Sequence, residues 1–203
     1  MTTNLFKSRR NQLIRTTEAE IERSYSYDER GNLRKVSELG RGVLAKYFFD
    51  ATNMMTKAET SKGSATYTYD GFRNRVGMLE RLSDVSLPDP TREIKYILDR
   101  TLPYDNLLAI DGSSKQSFVW GNSLISSLSG KDSFFYLQDH LGSPTRLIGD
   151  AGLSEALAFD EFGSDALSGD SEFANPFSFT GYTDDSVSGL LFAQNRFYDP
   201  RDS

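Results

Sequence analysis

Along the first hundred residues, large apolar side chains fall on alternate positions in short bursts, and each burst ends in aspartate. "YSYD" (25–28), "YFFD" (47–50) and "YTYD" (67–70) share this form, with steps of 22 and 20 residues between Asp28, Asp50 and Asp70. A two-residue period is that of a strand with one buried face. Tyr25 and Tyr27, Tyr47 and Phe49, and Tyr67 and Tyr69 therefore project pairwise from one side of their strands. Turn chemistry follows each aspartate: Gly31 and Asn32 in the first unit, Met54 at the matching position of the second, Asn74 in the third. An aspartate at a strand end accepts hydrogen bonds from the next backbone N–H groups, and Gly-Asn tolerates positive φ. A second alternating run such as "NLRKV" (32–36) then returns beside the first. The pattern predicts one β-hairpin per repeat of about twenty residues.

The period extends both ways. Leu13, in "NQLIRTTEAE" (11–20), stands 20 residues before Leu33, and "YILD" ends in Asp99, 29 residues after Asp70. The excess falls in "RLSDVSLPDPTR" (81–92), where two prolines predict a loop. "SFVWGNSLI" (117–125) predicts a further hairpin with Trp120 as a core ring, and "GDSEFANPF" (169–177) a loop. One short helix is expected near 17–23. One such hairpin cannot bury its aromatic face alone, so stacked copies must cover one another and extend a sheet along one axis. The predicted class is all-β, an array of antiparallel hairpins forming a segment of a spiral sheet. An aromatic box for a cofactor is a weaker reading of rings repeated at this period, and no cofactor is expected.

Composition changes the picture only at the margins. The 203 residues are 37% hydrophobic and 12% aromatic, so Phe and Tyr carry much of the available burial. A net charge of -6 argues against general affinity for nucleic acid or anionic membranes. The basic cluster Lys7, Arg9, Arg10 and Arg15 is followed by Glu18, Glu20 and Glu22 and reads as a solvated face. The absence of cysteine excludes disulfides and thiolate-bound metals. No Sec-type signal and no membrane-spanning run are visible.

The repeat unit, defined by Tyr25, Tyr27, Asp28, Gly31 and Asn32, by Tyr47, Phe49 and Asp50, and by Tyr67, Tyr69, Asp70 and Asn74, resembles the YD repeat of the Rhs and wall-associated proteins. Toxin-complex C components and teneurins share that repeat. "FYLQDHLGSPTRLIGDAGLSEALAFDEFG" (135–163) is similar to the Rhs repeat-associated core, whose signature falls on Asp139, His140, Leu141, Gly142, Ser143 and Pro144. "NPFSFTGYTDDSVSGLLFAQNRFYDP" (175–200) resembles the segment that closes that core. The resemblance implies a tail at 1–10, YD-repeat hairpins at 11–130 and the associated core at 131–203. It also implies a β-sheet shell that encloses a C-terminal toxin, secreted or displayed at the cell surface by a non-Sec route. In such shells a closing motif with aspartates and an arginine cleaves itself.

Here the motif is represented by Arg196, Asp199 and Pro200, and the sequence ends at Ser203 without the motif's Gly-Arg-Phe and second Asp-Pro. A carboxylate pair sharing a proton is what an aspartic mechanism needs. Asp199 with a terminal Asp202 does not supply one, so no catalysis is expected. The resemblance makes the partners a C-terminal toxin or a larger Rhs shell, and an exposed strand edge adds self-association. Two alternatives stay open: an extracellular glycan- or protein-binding module, with Trp120 as a sugar platform, and an inert remnant of a longer gene. Residual candidates read as architecture. The lone His140 gives no triad and is expected to fasten a turn, "TDDSVSG" (183–189) lacks the ligand spacing of an EF-hand, and the scattered glycines make no phosphate loop.

Overall fold

The computed structural model describes residues 4–8, 12–18, 20–83, 89–101, 105–113, 115–149, 152–167 and 174–202. Fifteen strands form one antiparallel sheet in strict chain order. They are β1 (Asn4–Lys7), β2 (Leu13–Glu18), β3 (Ile21–Tyr27), β4 (Leu33–Glu38), β5 (Gly42–Phe49), β6 (Met55–Thr60), β7 (Gly63–Tyr69) and β8 (Arg75–Leu82), then β9 (Thr91–Asp99), β10 (Asn106–Gly112), β11 (Gln116–Trp120), β12 (Leu124–Ser129), β13 (Asp132–Gln138), β14 (Pro144–Gly149) and β15 (Ser154–Ala156). A second, three-stranded sheet holds β16 (Thr183–Asp185), β17 (Leu190–Ala193) and β18 (Arg196–Tyr198).

The all-β expectation holds: the described residues contain no α-helix, only 3-10 turns such as those at Phe179–Gly181 and Pro200–Asp202. The helix expected near 17–23 is absent. That stretch is the end of β2, a tight reversal and the start of β3, with Glu20 at φ 70°. The two-residue alternation of Arg23, Tyr25 and Tyr27, with Tyr25 buried, outweighs the helix preference of its glutamates. Residues 4–7 of the expected tail form β1, and β13–β15 of the core-like half continue the repeats' own sheet. Much of the expected loops at 81–92 and 169–177 lies outside the described residues.

The repeat's turn is built by its aspartate. Asp28 Oδ1 accepts the backbone N–H groups of Arg30 and Asn32, both at 2.9 Å, and Asn32 Nδ2 donates to Oδ2. Asp50 and Asp70 repeat the pattern with Thr52 and Met54, and with Phe72 and Asn74. The third residue after each aspartate is left-handed: Gly31 at φ 92°, Asn53 at 65° and Arg73 at 74°. Successive turns touch, since Asn32 Nδ2 donates to Asn53 Oδ1 and Arg100 donates to Asp70. The register slips by one residue at Tyr27, Phe49 and Tyr69, the second aromatic of each unit. At two of these bulges the ring reaches across the sheet: the Tyr27 hydroxyl donates to Leu13 O and the Tyr69 hydroxyl to Met55 O, each at 2.8 Å.

One face of the sheet is buried in two clusters. The first centres on Tyr25, Val36, Tyr47, Ala58, Tyr67 and Met78, the second on Leu107, Phe118, Leu124, Phe134, Tyr136 and Leu147. Residues 174–202 cover both. Val187 and Leu190 join the first, and Phe177 enters the second edge-on to Phe118 at 5.0 Å and Trp120 at 5.7 Å. Burying one such side chain contributes about 2 kcal/mol. The opposite face keeps Val43, Leu79, Val119 and Phe135 exposed.

Candidate functional site: the C-terminal segment on the aromatic face

Strand β8 places Arg75 directly after a repeat turn on the inward side, where its neighbours are rings. Its guanidinium lies 3.9 Å from the Phe192 ring centroid and 4.9 Å from that of Tyr96. Nη1 donates to Asp185 Oδ2 at 3.1 Å, and Nη2 donates to Thr183 Oγ1 at 3.1 Å. The Tyr67 hydroxyl and the Ser188 N–H both donate to the other Asp185 oxygen, each at 3.0 Å. Side-chain exposure is 3% for Arg75 and 0% for Asp185, so the pair is screened from water and each charge depends on the other. Around it, Thr60 Oγ1 donates to Val187 O, Ser186 Oγ to Glu80, and the Tyr47 hydroxyl to Ser188 O. The acidic stretch 183–189 forms a hairpin turn between β16 and β17, and its second aspartate, Asp185, is the anchor.

The core-like motifs meet one another. Asp139 closes a turn of the repeat's own type: Oδ1 accepts the Leu141 and Ser143 N–H groups, and Gly142 is left-handed at φ 89°. The hydrogen bonds of this turn therefore come from Asp139, whereas His140, expected to fasten it, stands exposed. Ser143 is buried and its Oγ accepts the Thr180 N–H at 3.0 Å, while Pro144 opens β14. Asp160 makes the same turn with Phe162 and Ser164, and Gly163 is required there: at φ 90°, a Cβ would lie 2.6 Å from the Phe179 ring. Ser164 Oγ donates to Pro200 O, and the Tyr198 hydroxyl donates to Phe162 O. Asn175 brackets Phe177 with two hydrogen bonds and accepts the Tyr136 hydroxyl.

Of the closing-motif residues, Arg196 and Asp199 line one cavity together with Tyr47 and Phe197. Asp199 faces Arg201, which donates from Nε and Nη2 to its two oxygens at 2.9 Å each, and Arg196 is exposed. Trp120 is no open platform: its indole N–H donates to Leu107 O at 2.8 Å and its ring meets Phe177.

The electrostatics follow burial. Desolvation pushes the Tyr47 hydroxyl up to about 12 and raises Tyr67, Tyr69, Tyr96 and Tyr136 as well. The turn aspartates shift the other way. The Asn32 side chain holds Asp28 low, and in Asp50, Asp70 and Asp139 a burial penalty is outweighed by the donated N–H groups.

No protein-family model matches the chain, and no curated protein matches it in sequence. Solved structures do. The crystal structure of TcdB2-TccC3-TEV aligns over 93% of this chain and 11% of its own, with a TM-score of 0.53 and 14% identity. TcdB2-TccC3-Cdc42 aligns over 96% and 12% with a TM-score of 0.52, again at 14% identity. The Photorhabdus luminescens Tc holotoxin pore with a mutated TccC3 covers the same shares at a TM-score of 0.50 and 14% identity. The fold is that of these toxin-complex chains. The protein spans about a ninth of their length, so the likeness is to one stretch of far longer chains.

Arg75, Thr183 and Asp185 escape the sequence reading as a site. The one signal was a charge at an inward parity position: Arg75 pairs with Tyr69 in register.

Proposed function

We propose that this chain is a wall segment of an Rhs/YD-repeat shell that holds a polypeptide toxin, with no catalysis of its own and delivery by a route without a Sec signal. The observation that carries this reading is the strictly sequential fifteen-stranded sheet, in which β1 and β15 each have a neighbour on one side only among the described residues. Such a sheet accepts further hairpins at either edge without rearrangement. Residues 174–202 act as an inner lining that seals the aromatic face rather than as a reactive site. The similarity to TccC3-containing chains supports the same role at the level of fold.

The test is purification of the native gene product from its own cells, followed by proteinase treatment before and after denaturation. The reading expects a toxin-bearing chain or domain that co-elutes and resists cleavage until the sheet is unfolded. Light scattering that gives a clean monomer at high concentration, with no co-eluting polypeptide, refutes it.

A further inference from the structure

A cavity of about 230 Å³ lies beside the second repeat turn, between β5, β6 and the C-terminal sheet. Its inner wall is apolar, built by Tyr47, Phe49, Met54, Met55, Leu190 and Phe197, and its mouth holds the exposed Asn53, Asn195 and Arg196. Two departures from the repeat meet in that wall. In the first and third turns an asparagine donates from Nδ2 to the turn aspartate, Asn32 to Asp28 and Asn74 to Asp70. The second turn has Met54 at this position and forgoes the bond. The second aromatic of the outer units is a tyrosine whose hydroxyl donates across the sheet, whereas the middle unit has Phe49. Both exchanges strip a polar group that serves the repeat, and both side chains line the cavity. What they make is an apolar wall with an adaptable thioether in it. The mouth has the opposite character. Asn53 accepts from Asn32 through Oδ1, and among the described residues its Nδ2 and the Asn195 side chain donate to no protein group. Arg196 forms no ion pair there, while Asp199 in the same wall is already held by Arg201 Nε and Nη2. The unspent groups at the mouth are therefore donors, one of them cationic.

We propose that this cavity binds a small free carboxylic acid whose tail is one aromatic ring or a short branched chain. The tail lies against Phe49, Met54 and Met55, and the carboxylate at the mouth accepts from Arg196 and from the amides of Asn53 and Asn195. An apolar cavity of about 150 Å³ holds a benzene ring, so this one has room for a ring and a few further atoms. It is too small for a drug-sized ligand, whose sites start at about 300 Å³. A cationic head would be repelled by Arg196, and a neutral ring would fill the apolar wall while leaving the donors at the mouth unused. This site is independent of the shell reading.

The sequence holds four methionines, so labelling their methyl groups with carbon-13 gives a simple spectrum in which Met54 and Met55 report on this wall. The intact chain at neutral pH is titrated with 3-phenylpropionate and 4-methylpentanoate, and with 3-phenylpropionamide as the uncharged match. The expected result is a saturable shift of the Met54 and Met55 methyls with at least one acid, while Met78, outside the wall, reports an intact fold. The amide should bind about tenfold more weakly than its acid, and Arg196→Gln should weaken the acid about tenfold, the factor carried by one ordinary hydrogen bond. Met54→Asn restores the residue of the neighbouring turns. It should also weaken the acid about tenfold, read at Met55, while the melting temperature holds or rises because Asp50 regains a side-chain donor. No saturable shift with either acid overturns the proposal. So does an amide bound as tightly as the acid, or undiminished binding by a folded Arg196→Gln. N-acetylphenylalanine carries the same ring and carboxylate on a peptide-like chain, and tighter binding of it than of 3-phenylpropionate overturns the free acid as the ligand.

Discussion

Replacing Arg75 by methionine tests whether residues 174–202 are anchored by charge. Methionine keeps much of the apolar stem against Phe192 and Tyr96 but removes both donated hydrogen bonds and the cation. Asp185, with no exposed side-chain surface, would be left with the Tyr67 hydroxyl and the Ser188 N–H as donors and no counter-charge. Breaking one side of a buried pair typically costs about 3–5 kcal/mol. The two remaining donors put the expectation at the low end, about 3 kcal/mol. Arg75→Met combined with Asp185→Asn removes both charges while keeping an acceptor for Tyr67, so the double variant should recover about 1–2 kcal/mol relative to simple addition. Urea unfolding followed by far-UV circular dichroism and Trp120 fluorescence gives these values. Limited proteolysis tells loss of the whole fold from release of residues 174–202. A loss below about 1 kcal/mol in Arg75→Met, or strict additivity in the double variant, would refute the anchoring argument.

Arg73 occupies the left-handed position of its turn at φ 74°, where the first repeat has Gly31. Arg73→Gly should raise stability by about 0.5–1 kcal/mol in the same assay, the left-handed strain relieved less glycine's backbone entropy. At alkaline pH the folded state holds Tyr47 at about 12, above its unfolded value, so stability should be fully present below about pH 10 and fall as pH rises towards 12. Phenolate absorbance should show the buried tyrosines ionising only with unfolding. At acid pH the sign reverses: Asp28, Asp50, Asp70 and Asp139 are held below their usual range when folded. Stability should then be intact above about pH 4 and drop below it, and Asp70→Asn should flatten part of that drop in a series of melts from pH 6 to pH 2.

The sheet was legible because its determinants are local. Tyr25 and Tyr27 report a strand by parity, Asp28 and Asn32 report the turn by composition, and the twenty-residue step reports the array. The end of β2 and the start of β3 were misjudged as a helix near 17–23, where Glu18, Glu20 and Glu22 mimic a helix start. The covering segment was not legible at all. Alternation says that Tyr67 and Tyr136 face something, but not that Asp185 and Asn175 lie there, 118 and 39 residues further along. The role of His140 was misread because the signature "DHLGSP" hides an ordinary repeat turn in which Asp139 acts as Asp28 does.

The sequential strand order has a consequence for how the protein is made. Every strand of the large sheet pairs with the strand just before it, so the sheet can be laid down hairpin by hairpin as the polypeptide leaves the ribosome. The lid over the tyrosines arrives well after the strands it covers, since Asp185 and Val187 follow Tyr67 and Thr60 by more than a hundred residues. Throughout translation the nascent ribbon displays a bare row of rings, and a ribosome stalled before residue 183 would release a product that sticks to its neighbours.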